Sequence, residues 1–205
     1  MLKFDKISNR NIIFFTVILL FVVSLATNYV GGIDVNDYAD VAKFFAGDYN
    51  TKIRTAHSML YGFVHTPLVY LFKSLIVMKI TSLLWLFLMI LSVYYISNKD
   101  RRTLLLIIAS PIIWYMGPWI NPIQLASLLF LWGFYFINKF DKTEKIKYLA
   151  YSGILIGLSW SFWNTVFFIL FFFIITFFYN RNVNHLLIFL FFTIIGLLPI
   201  LIFDQ

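Results

Sequence analysis

Cysteine is absent from these 205 residues, which excludes disulfides and thiolate chemistry and leaves the redox compartment open. Charge is scarce: Asp, Glu, Lys and Arg make up 12% of the chain, against about 25% in ordinary soluble domains. Acids are the rarer sign, nine against sixteen Lys and Arg, giving a net charge of +7. The three histidines (57, 65 and 185) show no metal-ligand spacing, so no metal site is expected from them. So little polar side chain cannot cover a water-facing globule. A solution enzyme and a free nucleic-acid binder are excluded, and nucleic acid is not an expected partner. There is no Pro-rich linker, no repeat of fixed period and no low-complexity tail, so residues 1–205 are read as one membrane domain.

What the chain does contain is apolar length. Hydrophobic residues make up 61% and aromatics 21%. A helix needs about 20 mostly apolar residues to cross the hydrocarbon core. Stretches free of Asp, Glu, Lys and Arg run over 11–33, 55–72, 80–98, 103–138, 148–180 and 182–203. The first, third and last each fit one crossing. The stretch 103–138 is too long for one and carries Gly117-Pro118 and Asn121-Pro122, which break a helix by fixing φ and removing N–H donors. Two spans and a tight turn are expected there. In 148–180 the polar midpoint Ser159-Trp160-Ser161-Phe162-Trp163-Asn164 again predicts two short spans, with the Trp pair at the interface.

The stretch 55–72 is arbitrated by charge, because cytoplasmic loops collect Lys and Arg. If it does not span and the N-terminus is cytoplasmic, eleven cations lie inside and five outside; if it spans, the numbers reverse. Residues 59–77 are therefore expected as a helix on the outer surface. The fold expected is all-α, a polytopic bundle of about seven transmembrane helices plus two outer-surface amphipathic helices. The first span is 11–31, the outer loop 32–78 carries surface helices 36–46 and 59–77, and 79–205 holds six further spans. The first span shows no cleavage site and is read as uncleaved.

The loop 32–78 is the one long hydrophilic segment, and long loops on a compact scaffold usually carry function. It holds Asp34, Asp37, Asp40 and Asp48. Tyr38, Val41, Ala42 and Phe45 fall at i, i+3, i+4 and i+7, a stripe expected to lie flat on the bilayer, with Asp37, Asp40 and Lys43 opposite. Gly47 is the expected stop. Asp34 stands where an N-cap belongs, and capping is a sufficient structural role for these acids. Asp34 also lies just beyond the first span, where a carboxylate meets lipid headgroups. Lys73 and Lys79 read as snorkelling anchors, and Trp114, Trp119, Trp160 and Trp163 as an aromatic belt.

The succession Asp34, Tyr38, Ala42, Gly47, Leu60-Tyr61 and Pro67-Leu68 resembles the opening of the GT-C superfamily of membrane glycosyltransferases. These include mannosyl and aminoarabinosyl transferases that use polyprenyl-phosphate-sugar donors. Asn121-Pro122 opening a span and the Gly153-x-x-x-Gly157 element are also similar to that family. The resemblance implies a catalytic acid in the first outer loop, Asp34 first and Asp37 second. It would serve as general base toward the acceptor hydroxyl, or as ligand to a divalent cation (Mg or Mn) on the donor phosphate. It also implies cations around the polyprenyl phosphate, for which Lys52, Arg54, His57 and Lys79 are the candidates. Several features depart from the family pattern. No Glu follows Asp34, the turn 116–121 has no acid, and Tyr61-Gly62 stands where Tyr-Pro is common. The chain is similar to the N-terminal portion of a larger transferase or to a reduced member, completed by a protein partner or a C-terminal part. The expected setting is the plasma membrane of a prokaryote. Two other classes remain open from the residues themselves: a multi-span transporter and a non-catalytic assembly subunit.

Overall fold

A computed structural model describes residues 8–27, 34–53, 59–179 and 182–203, and all regular structure among them is helical. The elements are α1 (Asn9–Ala26), α2 (Asp34–Phe45), α3 (Leu60–Phe72), α4 (Ile76–Ile96), α5 (Arg101–Ile108), α6 (Pro111–Met116), α7 (Ile123–Thr143), α8 (Ile146–Phe162), α9 (Val166–Phe178) and α10 (Val183–Phe203). Four of them, α1, α4, α7 and α10, are long and apolar enough to cross a membrane. This is the composition and length of a membrane protein.

Local chemistry sets the boundaries. Ser8 accepts from the Asn11 amide to open α1, and Asp100 accepts from the Arg102 and Thr103 amides to open α5. The stretch 103–138 divides at 117–122, where Asn121 Oδ1 accepts from the Ile123 amide at 2.9 Å and starts α7. The stretch 148–180 divides at 163–165, with Trp163 in an extended conformation. A third break had no counterpart in the sequence reading: Ser110-Pro111 splits α5 from α6, with Pro111 in the first turn where its missing N–H costs nothing. The helix expected over 59–77 is likewise two elements. Lys73 takes a left-handed conformation (φ 48°), its amide bonding the Val69 carbonyl, and α4 begins at Ile76.

Lipid tails are as apolar as Leu, so helices in a membrane associate by close packing more than by apolar burial. That is how α8 is held between α7 and α10. A Cβ on Gly133 would lie 2.6 Å from Ile156 Cγ1, and one on Gly157 would lie 2.9 Å from the Gly196 Cα. Ser159 Oγ donates to the Ala126 carbonyl at 2.7 Å, and Ser161 Oγ to that of Gly196 at 3.2 Å. A second core joins α1, α4, α5 and α6 through Leu20, Leu86, Ile90, Leu104 and Ile113. A third gathers Val35, Tyr38 and Ala42 of α2, Tyr61 of α3, Met78 of α4, Ile120, Ala126, Phe162 and Val166. The third core therefore marks one end of the bundle, where α2, α3 and the turns at 117–122 and 163–165 meet. The turns at 97–100 and 144–145 lie at the other end, with Asn9 Nδ2 donating to Tyr94 Oη at 3.0 Å.

Candidate functional site

The apolar stripe of α2 is buried against protein. Tyr38, Val41 and Ala42 are at most 6% exposed, and only Phe45 remains open. The reading of a stripe lying on the bilayer is corrected: α3 supplies the partner. Gly62 explains how, because a Cβ there would sit 2.6 Å from the Tyr38 carbonyl oxygen and 2.7 Å from Val41 Cβ. Gly62 is where α2 crosses α3.

This packing also turns Asp37 inward. It is 7% exposed, so it does not share the solvent side with Asp40 and Lys43, which pair at 3.3 Å on the surface. Asp34 is the first residue of α2, two positions earlier than the expected start and inside the helix, not before it; only its backbone is described. Gly47 ends the helix region as expected, at φ 106°.

Lys79 is 4% exposed. Its Nζ donates to the Thr27 carbonyl at 2.6 Å and to Thr27 Oγ1 at 3.1 Å. A snorkelling anchor would reach outward; this lysine reaches inward and joins the end of α1 to the first turn of α4. Val35 and Tyr38 of α2 and Met78 of α4 belong to one core, which α3 joins through Tyr61, so the three helices border one junction. Asp37 and Lys79 are each buried on helices that border it.

A polar chain runs through the same junction. Tyr61 Oη lies 2.6 Å from Ser82 Oγ, whose own proton goes to the Met78 carbonyl at 2.9 Å, so the tyrosine donates. His65 Nδ1 lies 2.7 Å from the Tyr61 carbonyl, which can only accept, so Nδ1 carries the proton. Its Nε2 lies 2.7 Å from Thr81 Oγ1, a hydroxyl that also reaches the Val77 and Met78 carbonyls at 3.0 Å. Sequence reasoning missed Thr81 and Ser82; the available signal was the i, i+4 spacing of Tyr61 and His65 and the adjacent hydroxyl pair Thr81-Ser82 near the start of α4.

Of the other candidates, Lys52 is exposed beyond the far end of α2, and Arg54 and His57 lie outside the described residues. A cleft of about 630 Å³ opens where α2 and α3 end, lined in part by Lys43, Asp48, Tyr70, Lys73 and Ser74. At about 1.5 Å per residue it is about 13 Å along α2 from Asp34, so Asp34 and the cleft sit at opposite ends of that helix. Among the described residues no three His, Cys, Asp or Glu side chains stand together as a metal would require.

No family model, no curated protein sequence and no solved structure matches this chain. Chemically, the helices bordering this core offer an acid and a lysine withdrawn from water, with hydroxyl and imidazole groups linking α3 to α4.

Proposed function

We propose that this protein transfers a sugar from a polyprenyl-phosphate donor to an acceptor at the outer membrane face. The observation that carries the reading is that Asp37 of α2 and Lys79 of α4 are both buried on helices bordering one core, α2 having Asp34 as its first residue. An acid of α2, Asp34 first and Asp37 second, takes the proton of the acceptor hydroxyl as its oxygen attacks the anomeric carbon. The bond from that carbon to the phosphate oxygen breaks, and polyprenyl phosphate leaves with the electron pair. The fixed positive charge of Lys79 favours that developing anion. A divalent cation, Mg or Mn, is the alternative partner for the acid.

In this reading the chain crosses the membrane seven times, by α1, α4, the α5–α6 pair, α7, α8, α9 and α10. The N-terminus is cytoplasmic, and α2 and α3 lie outside as surface helices of a prokaryotic plasma membrane. What supports this sidedness is charge: Arg10, Lys99, Arg101, Arg102, Lys139, Lys142, Lys145 and Lys147 lie toward the end of the bundle opposite α2.

The test is sugar transfer in proteoliposomes supplied with radiolabelled polyprenyl-phosphate sugars. Asp34→Asn or Asp37→Asn is expected to lower turnover by about a hundredfold or more, the scale of general-base catalysis, with insertion unchanged. Transfer at the wild-type rate by both variants would contradict the assignment. Transfer that appears only with a co-purifying protein would make the chain a subunit of the transferase.

A further inference from the structure

The second end of the bundle carries a site that sugar transfer does not use. The α7–α8 hairpin holds Lys139, Lys142, Lys145 and Lys147 against only Asp141 and Glu144. Glu144 turns the chain in a left-handed conformation (φ 53°), which sets the last turn of α7 beside the first turn of α8. There Lys139 Nζ lies 4.9 Å from the centre of the Tyr148 ring, and Lys147 Nζ lies 5.4 Å from the same centre. Two ammonium groups thus share one ring and stand within about 10 Å of each other, where like charges repel. Among the described residues neither has a carboxylate within ion-pair distance.

Two further features point the same way. The N-terminus of α8 is uncapped: Lys145 gives no side-chain hydrogen bond, and the first turn holds no acid. Its free amides and positive dipole end therefore add to the lysines and favour an anion. The Tyr148 ring is itself held in place, stacked on Phe136 at 6.0 Å and 12°, and Phe136 in turn meets Trp132 and Tyr135. Tyr135 and Tyr148, near the α7–α8 turn, form an aromatic collar at the depth where interfacial rings gather.

We infer that Lys139, Lys147 and the α8 N-terminus, organised on the Tyr148 ring, bind the phosphodiester of an anionic phospholipid. A free phosphate offers similar oxygens, but the depth of the collar places the site level with the phosphodiesters of one leaflet. The inference stands independently of sugar transfer.

Native mass spectrometry of the detergent-exchanged protein, titrated with phosphatidylglycerol against phosphatidylcholine, tests it. Lys139→Gln with Lys147→Gln is expected to weaken phosphatidylglycerol retention about thirtyfold, each lysine near a membrane surface supplying about a factor of five. Lys99→Gln with Lys142→Gln removes the same charge from the same end but touches neither the Tyr148 ring nor the α8 N-terminus, and is expected to weaken retention less than the site pair does. Equal loss in the two pairs would overturn the site in favour of diffuse surface charge. Displacement of the lipid by millimolar inorganic phosphate would overturn the lipid assignment. Tyr148→Phe keeps the ring and is expected to keep retention, whereas Tyr148→Leu is expected to lose it; unchanged retention in Tyr148→Leu would also contradict the inference. Helix content by circular dichroism separates these outcomes from misfolding.

Discussion

Lys79 Nζ donates a 2.6 Å hydrogen bond to the carbonyl of Thr27, fifty-two residues earlier in the chain. That carbonyl lies just past the last turn of α1, where backbone acceptors have no intrahelical partner. The lysine satisfies it with a charge-assisted bond and fixes the entry of α4 against the exit of α1. Both helices are among those long enough to cross a membrane, so the bond registers two spans at the end where α2 and α3 are seated.

Lys79→Met keeps most of the side-chain volume and removes the donor. The expected cost is about 1.5–3 kcal/mol, the range for a hydrogen bond to a charged group. In a chain of this size that lowers the melting midpoint by roughly 3–12 °C. A thermal scan in detergent checks it, and an unchanged midpoint would show that the bond contributes nothing.

Two glycines separate steric from conformational need. A side chain at Gly157 meets the Thr193 and Gly196 backbone, which cannot rotate away, so Gly157→Ala is expected to cost about 1–3 kcal/mol by overpacking α8 on α10. Gly47 has nothing within 4 Å of a built Cβ, but its φ is 106°, so Gly47→Ala costs only backbone strain of about 1–2 kcal/mol. Adding Gly196→Ala to Gly157→Ala, which puts methyl groups on both sides of the contact, is expected to abolish the folded bundle, whereas Gly47→Ala retains it. Resistance to SDS unfolding ranks the variants; a Gly47 variant weaker than the double variant would contradict the packing account.

The breaks at 117–122 and 163–165 were legible because they are written locally: proline and the polar Ser-Trp-Asn run act on their own backbone whatever surrounds them. Gly47 was legible for the same reason. The burial of Asp37 was not. A stripe of Tyr38, Val41 and Ala42 fits lipid and fits a neighbouring helix equally well, and only the contact at Gly62 decides for α3. Lys79 was misread as an outward anchor because a lysine beside an apolar run gives no sign of which way it reaches. Its partner Thr27 is distant in sequence. The Ser110-Pro111 break was hidden by Gly117-Pro118 close behind it, which explained the excess length alone.

Asp100 gives a pH dependence outside the apolar helices. Its carboxylate accepts from Thr103 Oγ1 at 2.7 Å and from the Thr103 and Arg102 amides at 3.0 and 3.3 Å. These bonds, the Thr103 hydroxyl first, hold its pKa below the ordinary carboxylate value. Because the folded value is depressed, the cap's contribution is fully present above the unfolded value of about 3.9 and is lost as pH falls through the folded one. Asp100→Asn keeps an accepting oxygen and is expected to remove this acid-side dependence while retaining much of the cap. Parallel stability profiles for the two proteins over roughly pH 2 to 6, the range around the unfolded carboxylate value, would contradict the cap's charge-dependent role.

The absence of native cysteine allows the most direct measurement, which is sidedness. Single Lys52→Cys and Lys142→Cys variants, in intact right-side-out vesicles, are exposed to a membrane-impermeant maleimide. Lys52→Cys is expected to label from outside, and Lys142→Cys only after the vesicles are opened. The reverse pattern would place α2, Asp37 and the buried Lys79 on the cytoplasmic side and contradict sugar transfer at the outer face.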